Sequence, residues 1–329
     1  MLRRSGALLA FALVAACATP GPRPASVPAV TWPAPPAPPR VRLVAVLPAP
    51  AEPSRFRRIL DSIAGIDRDA EERQLLQRPF GVAVAPGAVV IVADPEAGVL
   101  RLDGDGARPI ACRDREWDAP MAVAIGPGGA VLVADAGAGE IVRVAPDGEC
   151  TALGTGDLER PTGVAADAER VFVADPPRHE VVVLSQAGLA RLGGPGAGAG
   201  QFDFPTAVAL APDGTVLVVD ALNFRVARLA PTGEWVAAFG EAGDEGGAFE
   251  RPKGIAVDSA GRVYVSDAQR DLVLVFRLDG TFEYSIGGTG SAPGLFTHPA
   301  GLAIAGGRLY VADSHNHRIQ VFEILGERS

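Results

Sequence analysis

From residue 79 onward the chain alternates small and large apolar side chains in short runs, and polar turn residues separate those runs at regular intervals. Six prolines mark the repeat: Pro79, Pro120, Pro161, Pro205, Pro252 and Pro299, spaced 41, 41, 44, 47 and 47 residues apart. Two residues after each stands Gly or Ala (Gly81, Ala122, Gly163, Ala207, Gly254, Gly301). Two further on come Ala83, Ala124, Ala165, Ala209, Ala256 and Ala303, with larger residues such as Val82, Val84, Leu302 and Ile304 in between. A period of two is that of a β-strand, and a strand apolar on both sides is buried on both. One face is small and the other large, so each strand fits against the next in a radial array crowded at its axis. The innermost strands of propeller blades pack in this way.

The rest of each copy predicts three more strands. In the fourth copy Thr206–Ala211 is followed by the turn Pro212-Asp213-Gly214 and the strand Thr215–Asp220. Arg225–Leu229, the turn Pro231-Thr232-Gly233 and Glu234–Phe239 complete it. Six units of this size predict an all-β, six-bladed β-propeller with four-stranded blades. The sixth copy stops after its third strand, Arg318–Leu325, while Val41–Leu47 upstream is a strand with no blade of its own. That N-terminal strand is expected to become the outer strand of blade 6 and close the ring. Between the closing strand and blade 1, residues 48–78 form an excursion in which Ser54 is placed to cap a short helix to about Ala64. The excursion is expected on the same ring face as the six prolines.

The N-terminus reads differently. Arg3 and Arg4 precede an uncharged run of eleven residues, Gly6–Ala16, too short to cross a bilayer and of signal-peptide length. It ends in Leu13-Val14-Ala15-Ala16-Cys17, which resembles a bacterial lipobox with Cys17 as the lipidated residue. Ala at position 18 then implies the outer membrane, with the domain facing the periplasm. Residues 18–40 hold nine prolines and are expected to be an extended tether. The organisation is thus 1–17 signal and lipobox, 18–40 linker, and 41–329 propeller, with repeats over 79–325.

Composition narrows the function. Gly and Pro number 40 and 29, which suits a turn-rich β-protein and not a helical one. The net charge of −9 lacks the basic footprint of a nucleic-acid binder, and the only lysine is Lys253.

Three strings carry a family resemblance: Gly200-Gln201-Phe202-Asp203-Phe204-Pro205, Gly247-Ala248-Phe249-Glu250-Arg251-Pro252 and Gly294-Leu295-Phe296-Thr297-His298-Pro299. With the run Leu309 to Phe322 of the sixth copy, they resemble the NHL-repeat six-bladed propellers of bacterial lipoprotein type. The Asn-x-Arg element of that family survives only as Asn223/Arg225 and Asn316/Arg318. The resemblance implies the fold, but it spans enzymes, protein binders and RNA binders. RNA binding, as in animal tripartite-motif relatives, conflicts with the acidic charge. Related amidating lyases hold metal with histidines at the start of innermost strands, where this chain has Phe80, Met121, Thr162, Thr206, Lys253 and Ala300.

No metal site or cofactor is therefore expected. His298, His315 and His317 all belong to blade 6 and form the one candidate ligand cluster, read as surface loop histidines, while the fourth histidine, His179, is in blade 3. Asp94, Asp135, Asp175, Asp220, Asp267 and Asp313 each end a second strand, where a carboxylate accepts backbone N–H bonds and fixes a turn. Cys112 and Cys150 fall in predicted outer strands of consecutive blades. A bridge between them needs Cα atoms within about 7 Å, and outer strands diverge, so bridged and free thiols both fit the sequence. The expected function is a monomeric, non-catalytic binding or scaffold module for an envelope protein or an acidic ligand. Arg78, Arg160 and Arg251, just before their prolines, and His298 would form the rim that grips a carboxylate. The competing structural reading has each Arg pair with a loop carboxylate. The alternative function is a metal-dependent lyase or lactonase-like enzyme at the channel mouth.

Overall fold

A computed structural model describes residues 28–48, 75–103 and 106–326. The signal segment, Cys17 and the Ser54–Ala64 helix lie outside the described residues. Six antiparallel sheets form a ring, and each is one blade. The innermost strands are Gly81–Ala85, Pro120–Ile125, Gly163–Ala166, Pro205–Leu210, Pro252–Val257 and Pro299–Ala305. Each touches its neighbour in order, and the sixth touches the first. Blade 4 runs Pro205–Leu210, Val216–Asp220, Arg225–Leu229 and Trp235–Phe239, every strand within a residue of the expected bounds.

The core is not central but lies in six layers between adjacent blades. Ala83, Ile91, Ala93 and Val99 of blade 1, for example, pack on Val123, Val133, Val142 and Val144 of blade 2. At the axis the strands approach so closely that side chains are excluded. A Cβ on Gly254 would lie 2.3 Å from the Ala300 carbonyl oxygen, and one on Gly301 would lie 2.4 Å from that of Phe80. This is why the second position after each proline is Gly or Ala. Further out, Phe202, Phe249 and Phe296 of the three family-like strings are fully buried between blades.

The ring closes as expected. Val41–Leu47 pairs antiparallel with Arg318–Ile324, from Val41 opposite Ile324 to Leu47 opposite Ile319. The linker expectation needs correction at its described end. Thr31–Trp32 adds a fifth strand to blade 6, and the Trp32 indole meets the Phe322 ring edge-on at 5.6 Å. Main-chain bonds from Leu43 to the Val30 carbonyl and from Arg40 to the Trp32 carbonyl join the Trp32 ring in seating residues 30–32 on the blade, while residues 34–40 stay exposed.

Cys112 and Cys150 are joined by a disulfide, their Cα atoms 5.8 Å apart. The divergence of outer strands does not prevent it, because Cys112 is not in one. The outer strand of blade 1 ends at Pro109, and Cys112 sits in the crossing to blade 2, beside the strand Cys150–Leu153. Closing a loop of 38 residues removes denatured-state entropy, about 4 kcal/mol at most in the chain-entropy picture. Cys150→Ser should therefore lower the unfolding free energy by about 2–4 kcal/mol, read by urea melts with and without reductant. Identical melts for the oxidised and reduced protein would contradict a bridge.

Candidate site at the channel mouth

Each second strand ends in a fully buried aspartate, and all six do the same work. The carboxylate accepts main-chain N–H bonds from the residues just before the blade's proline. Asp94 takes those of Gln77 and Arg78 (both 2.7 Å), and Asp175 takes those of Glu159 and Arg160 (both 2.9 Å). Asp267 takes those of Glu250 and Arg251 at 2.8 and 3.0 Å. Asp135 binds the N–H groups of Asp118 and Ala119, Asp220 that of Asp203, and Asp313 that of Thr297. These bonds tie the proline-preceding loops to the ends of the second strands, so both sets lie on one face of the ring.

In blades 4 and 6 the surviving Asn-x-Arg element completes this anchor. Arg225 binds Asp220 and the carbonyls of Ala197, Gly198 and Gln201, which clamps the glycine-rich connection from blade 3. Arg318 repeats this with Asp313, Ser291, Ala292 and Leu295. Blade 5 lacks the element, and Arg270 binds the Ala248 carbonyl instead.

Because the aspartates hold the backbone of the rim arginines, their side chains are left over. Arg160 and Arg251 are exposed and, among the described residues, have no carboxylate in ion-pair range. Arg78 comes only to 3.8 Å of Glu96, with both side chains about half exposed. The structural alternative, a loop carboxylate for each guanidinium, is met loosely by Arg78 through Glu96 and not by Arg160 or Arg251.

Below the rim a cavity of about 60 Å³ is lined by Phe80, Met121, Thr162, Thr206, Lys253 and Ala300 with the small residues that follow them. That is room for a few waters or part of a small ligand, far below the roughly 300 Å³ of a drug-sized site. Thr162 Oγ1 donates to the Thr206 carbonyl (3.0 Å) and Thr206 Oγ1 to the Lys253 carbonyl (3.1 Å), so the two threonines stitch blades 3, 4 and 5 together. Lys253 Nζ lies 4.8 Å from the centre of the Phe80 ring. Burial, reinforced by the nearby Arg251 and Arg78 charges, lowers its pKa to about 8.

The histidines divide. The His298 and His315 rings stack at 4.2 Å, and His298 Nδ1 is buried without a partner. His315 is held below its ordinary pKa by burial and then by His298, Arg78, Lys253 and His317. His317 turns to blade 1, where its Nδ1 meets the Gln77 carbonyl. His179 lies apart, 3.4 Å from Asp203. Among the described residues no group of three or more His, Cys, Asp or Glu side chains could hold a metal ion. Two features were not foreseen from the sequence: His315 belongs to the mouth, and the cations gather on one side of it. Arg78, Arg251, Lys253 and His315 influence one another from blades 1, 5 and 6, whereas Arg160 belongs to blade 3.

Residues 296–322, from the buried Phe296 through the Asn316/Arg318 anchor, match the NHL repeat. The protein is a six-bladed propeller that carries an NHL repeat. No curated protein matches it in sequence. Among solved structures, virginiamycin B lyase from Staphylococcus aureus superposes with a TM-score of 0.56 at 14% identity, over 76% of this propeller and 96% of the lyase. A gluconolactonase from Xanthomonas campestris gives 0.60 at 19%, over 76% and 88%. An auxiliary nutrient binding protein from Bacteroides thetaiotaomicron gives 0.61 at 10%, over 75% and 69%. At such identities the NHL-containing propeller shares a fold with all three, and a fold that hosts both catalysis and binding decides neither.

Proposed function

We propose that this propeller is a non-catalytic binding module that takes an anionic ligand, a carboxylate or an acidic peptide segment, at the mouth of its channel. The observation that carries the reading is the gathering of Arg78, Arg251 and Lys253 with no carboxylate bound tightly to any of them. Cations gathered in this way repel one another, and an incoming carboxylate relieves that repulsion while accepting bidentate bonds from the guanidinium groups. Arg160, across the ring, extends the rim for a longer acidic partner. The module is further proposed to work outside the cytoplasm, tethered through Cys17. The Cys112–Cys150 bridge supports that placement, since such bridges persist in oxidising compartments. The enzyme reading, lyase or lactonase, would need a metal-ligand set; the mouth offers two stacked histidines, the neighbouring Asp271 carboxylate accepts the His298 main-chain N–H, and among the described residues no group of three ligands converges.

The test is charge reversal of Arg78, Arg160 and Arg251 to Glu. The backbone of each remains bonded to its aspartate, so the melting temperature should stay within a few degrees of the parent. Titrating the parent with succinate or penta-glutamate against chloride at equal ionic strength should raise its melting temperature by linkage. The triple variant should show no such rise. Equal rises in parent and variant, or none in either, would overturn the proposal.

A further inference from the structure

Lys253 is the only lysine in the chain, and the ring seats it where a ligand would arrive. It leaves the start of the innermost strand of blade 5 and passes blade 6, where the matching side chain is only the methyl of Ala300. It thereby brings its Nζ over the Phe80 ring of blade 1. It is half-buried, and among the described residues no carboxylate lies within ion-pair reach of it. The charged groups that act on it are Arg251 beside it and Arg78 from blade 1, with the His315/His298 pair of blade 6 close by. The carboxylates of this neighbourhood are engaged by other groups, Asp267 by the Arg251 N–H, Asp271 by the His298 N–H and Glu96 at 3.8 Å from Arg78.

We propose that Lys253 is a nucleophilic amine that condenses reversibly with the carbonyl carbon of a small oxo acid at the channel mouth. The proposal rests on the anion-binding reading above, since Arg78 and Arg251 would hold the carboxylate of that acid. The neutral amine adds to the carbonyl carbon to form the C–N bond. The carbonyl oxygen collects both amine protons and leaves as one water, so amine plus carbonyl balance imine plus water without oxidant or reductant. A lysine removed from water beside other cations is an activated nucleophile. With its pKa lowered to about 8, about a tenth of Lys253 is free amine at pH 7, against fewer than about one in a thousand for an ordinary lysine.

The test treats the full-length folded protein at pH 7 with glyoxylate and cyanoborohydride, then maps peptides for carboxymethyl-lysine at position 253. Labelling should run at least about tenfold faster than at the same residue in the urea-unfolded chain, with a rate half-maximal near pH 8 that levels off by about pH 9. Arg78→Gln with Arg251→Gln should slow labelling at pH 7, because removing two cations lets the ammonium hold its proton more tightly. Lys253→Met should melt like the parent and leave only the terminal amine labelled. Propanal, a neutral aldehyde, is run in parallel. Equal labelling of Lys253 by propanal and glyoxylate would uphold the reactive amine and remove the anion reading. No excess over the unfolded chain with either aldehyde, or a rate still climbing beyond pH 9, would overturn the proposal for Lys253.

Discussion

Replacing Val41–Leu47 by a Gly/Ser stretch of equal length should abolish cooperative unfolding of the propeller or bring its melting temperature down by tens of degrees. Val41 and Leu43 are almost fully buried, and the strand covers the outer edge of Arg318–Ile324 through an antiparallel ladder interrupted by a bulge at Val44. Burial of each such side chain contributes about 1.5–3 kcal/mol, so two give about 3–6 before any ladder bond is counted. A domain holds about 5–15 kcal/mol in all. The loss also spreads. Blade 6 packs on blade 1 through Tyr310, Ile319 and Val321, so an opened blade 6 frees both sides of the ring seam. Deleting residues 28–40 alone should cost far less, since chiefly Trp32 packs there, against Phe322. Thermal melts of the two variants decide the matter, and a synthetic peptide spanning 28–48 added in trans should restore the melt of the first. A clasp variant that melts like the parent would remove the closing role.

Asp313→Ala should be the most damaging change at a single loop carboxylate, about 4 kcal/mol or more. Asp313 is fully buried and accepts from the Thr297 N–H, Asn316 Nδ2, Arg318 Nε and Gln320 Nε2. Its loss orphans a backbone donor and leaves the 13%-exposed Arg318 guanidinium without its counter-charge. Removing one partner of a buried pair costs about 3–5 kcal/mol, and each orphaned buried donor about 1–3. In a domain of this size the melting temperature should fall by about 10 °C. Adding Arg318→Met should recover part of the loss, because the stranded charge goes with it. Denaturant melts check both variants. An Asp313→Ala protein of parental stability that no longer binds succinate would mean that the aspartate ring holds ligand and not loops.

The six aspartates show why much of the site's frame was legible in the sequence. A carboxylate that recurs at one place in six copies of a repeat serves the repeat, and here it bonds main-chain N–H groups that every copy possesses. The rim arginines were legible as positions, because each stands one residue before a proline. Their freedom was not. Whether Arg251 has a carboxylate partner depends on loops of other blades, whose distance along the chain gives no measure of their distance in space.

Period-two alternation, the six prolines and the unfinished last copy determined the fold by themselves: six blades, small residues at the axis and a closing strand taken from the N-terminus. These features are local and repeated, so each copy confirms the others. Only the tertiary structure decided what the ring brings together across its mouth. Lys253 reaches Phe80 two blades away because Ala300 leaves the way open. Cys112 meets Cys150 because the crossing after Pro109 carries it to the next blade. Trp32 finds Phe322 because closure places the residues just before the closing strand against the last strand. In each case the partners come from different repeats and stand at unrelated positions within them. The periodicity specifies each blade, while ring closure specifies which blades face one another across the axis and at the seam.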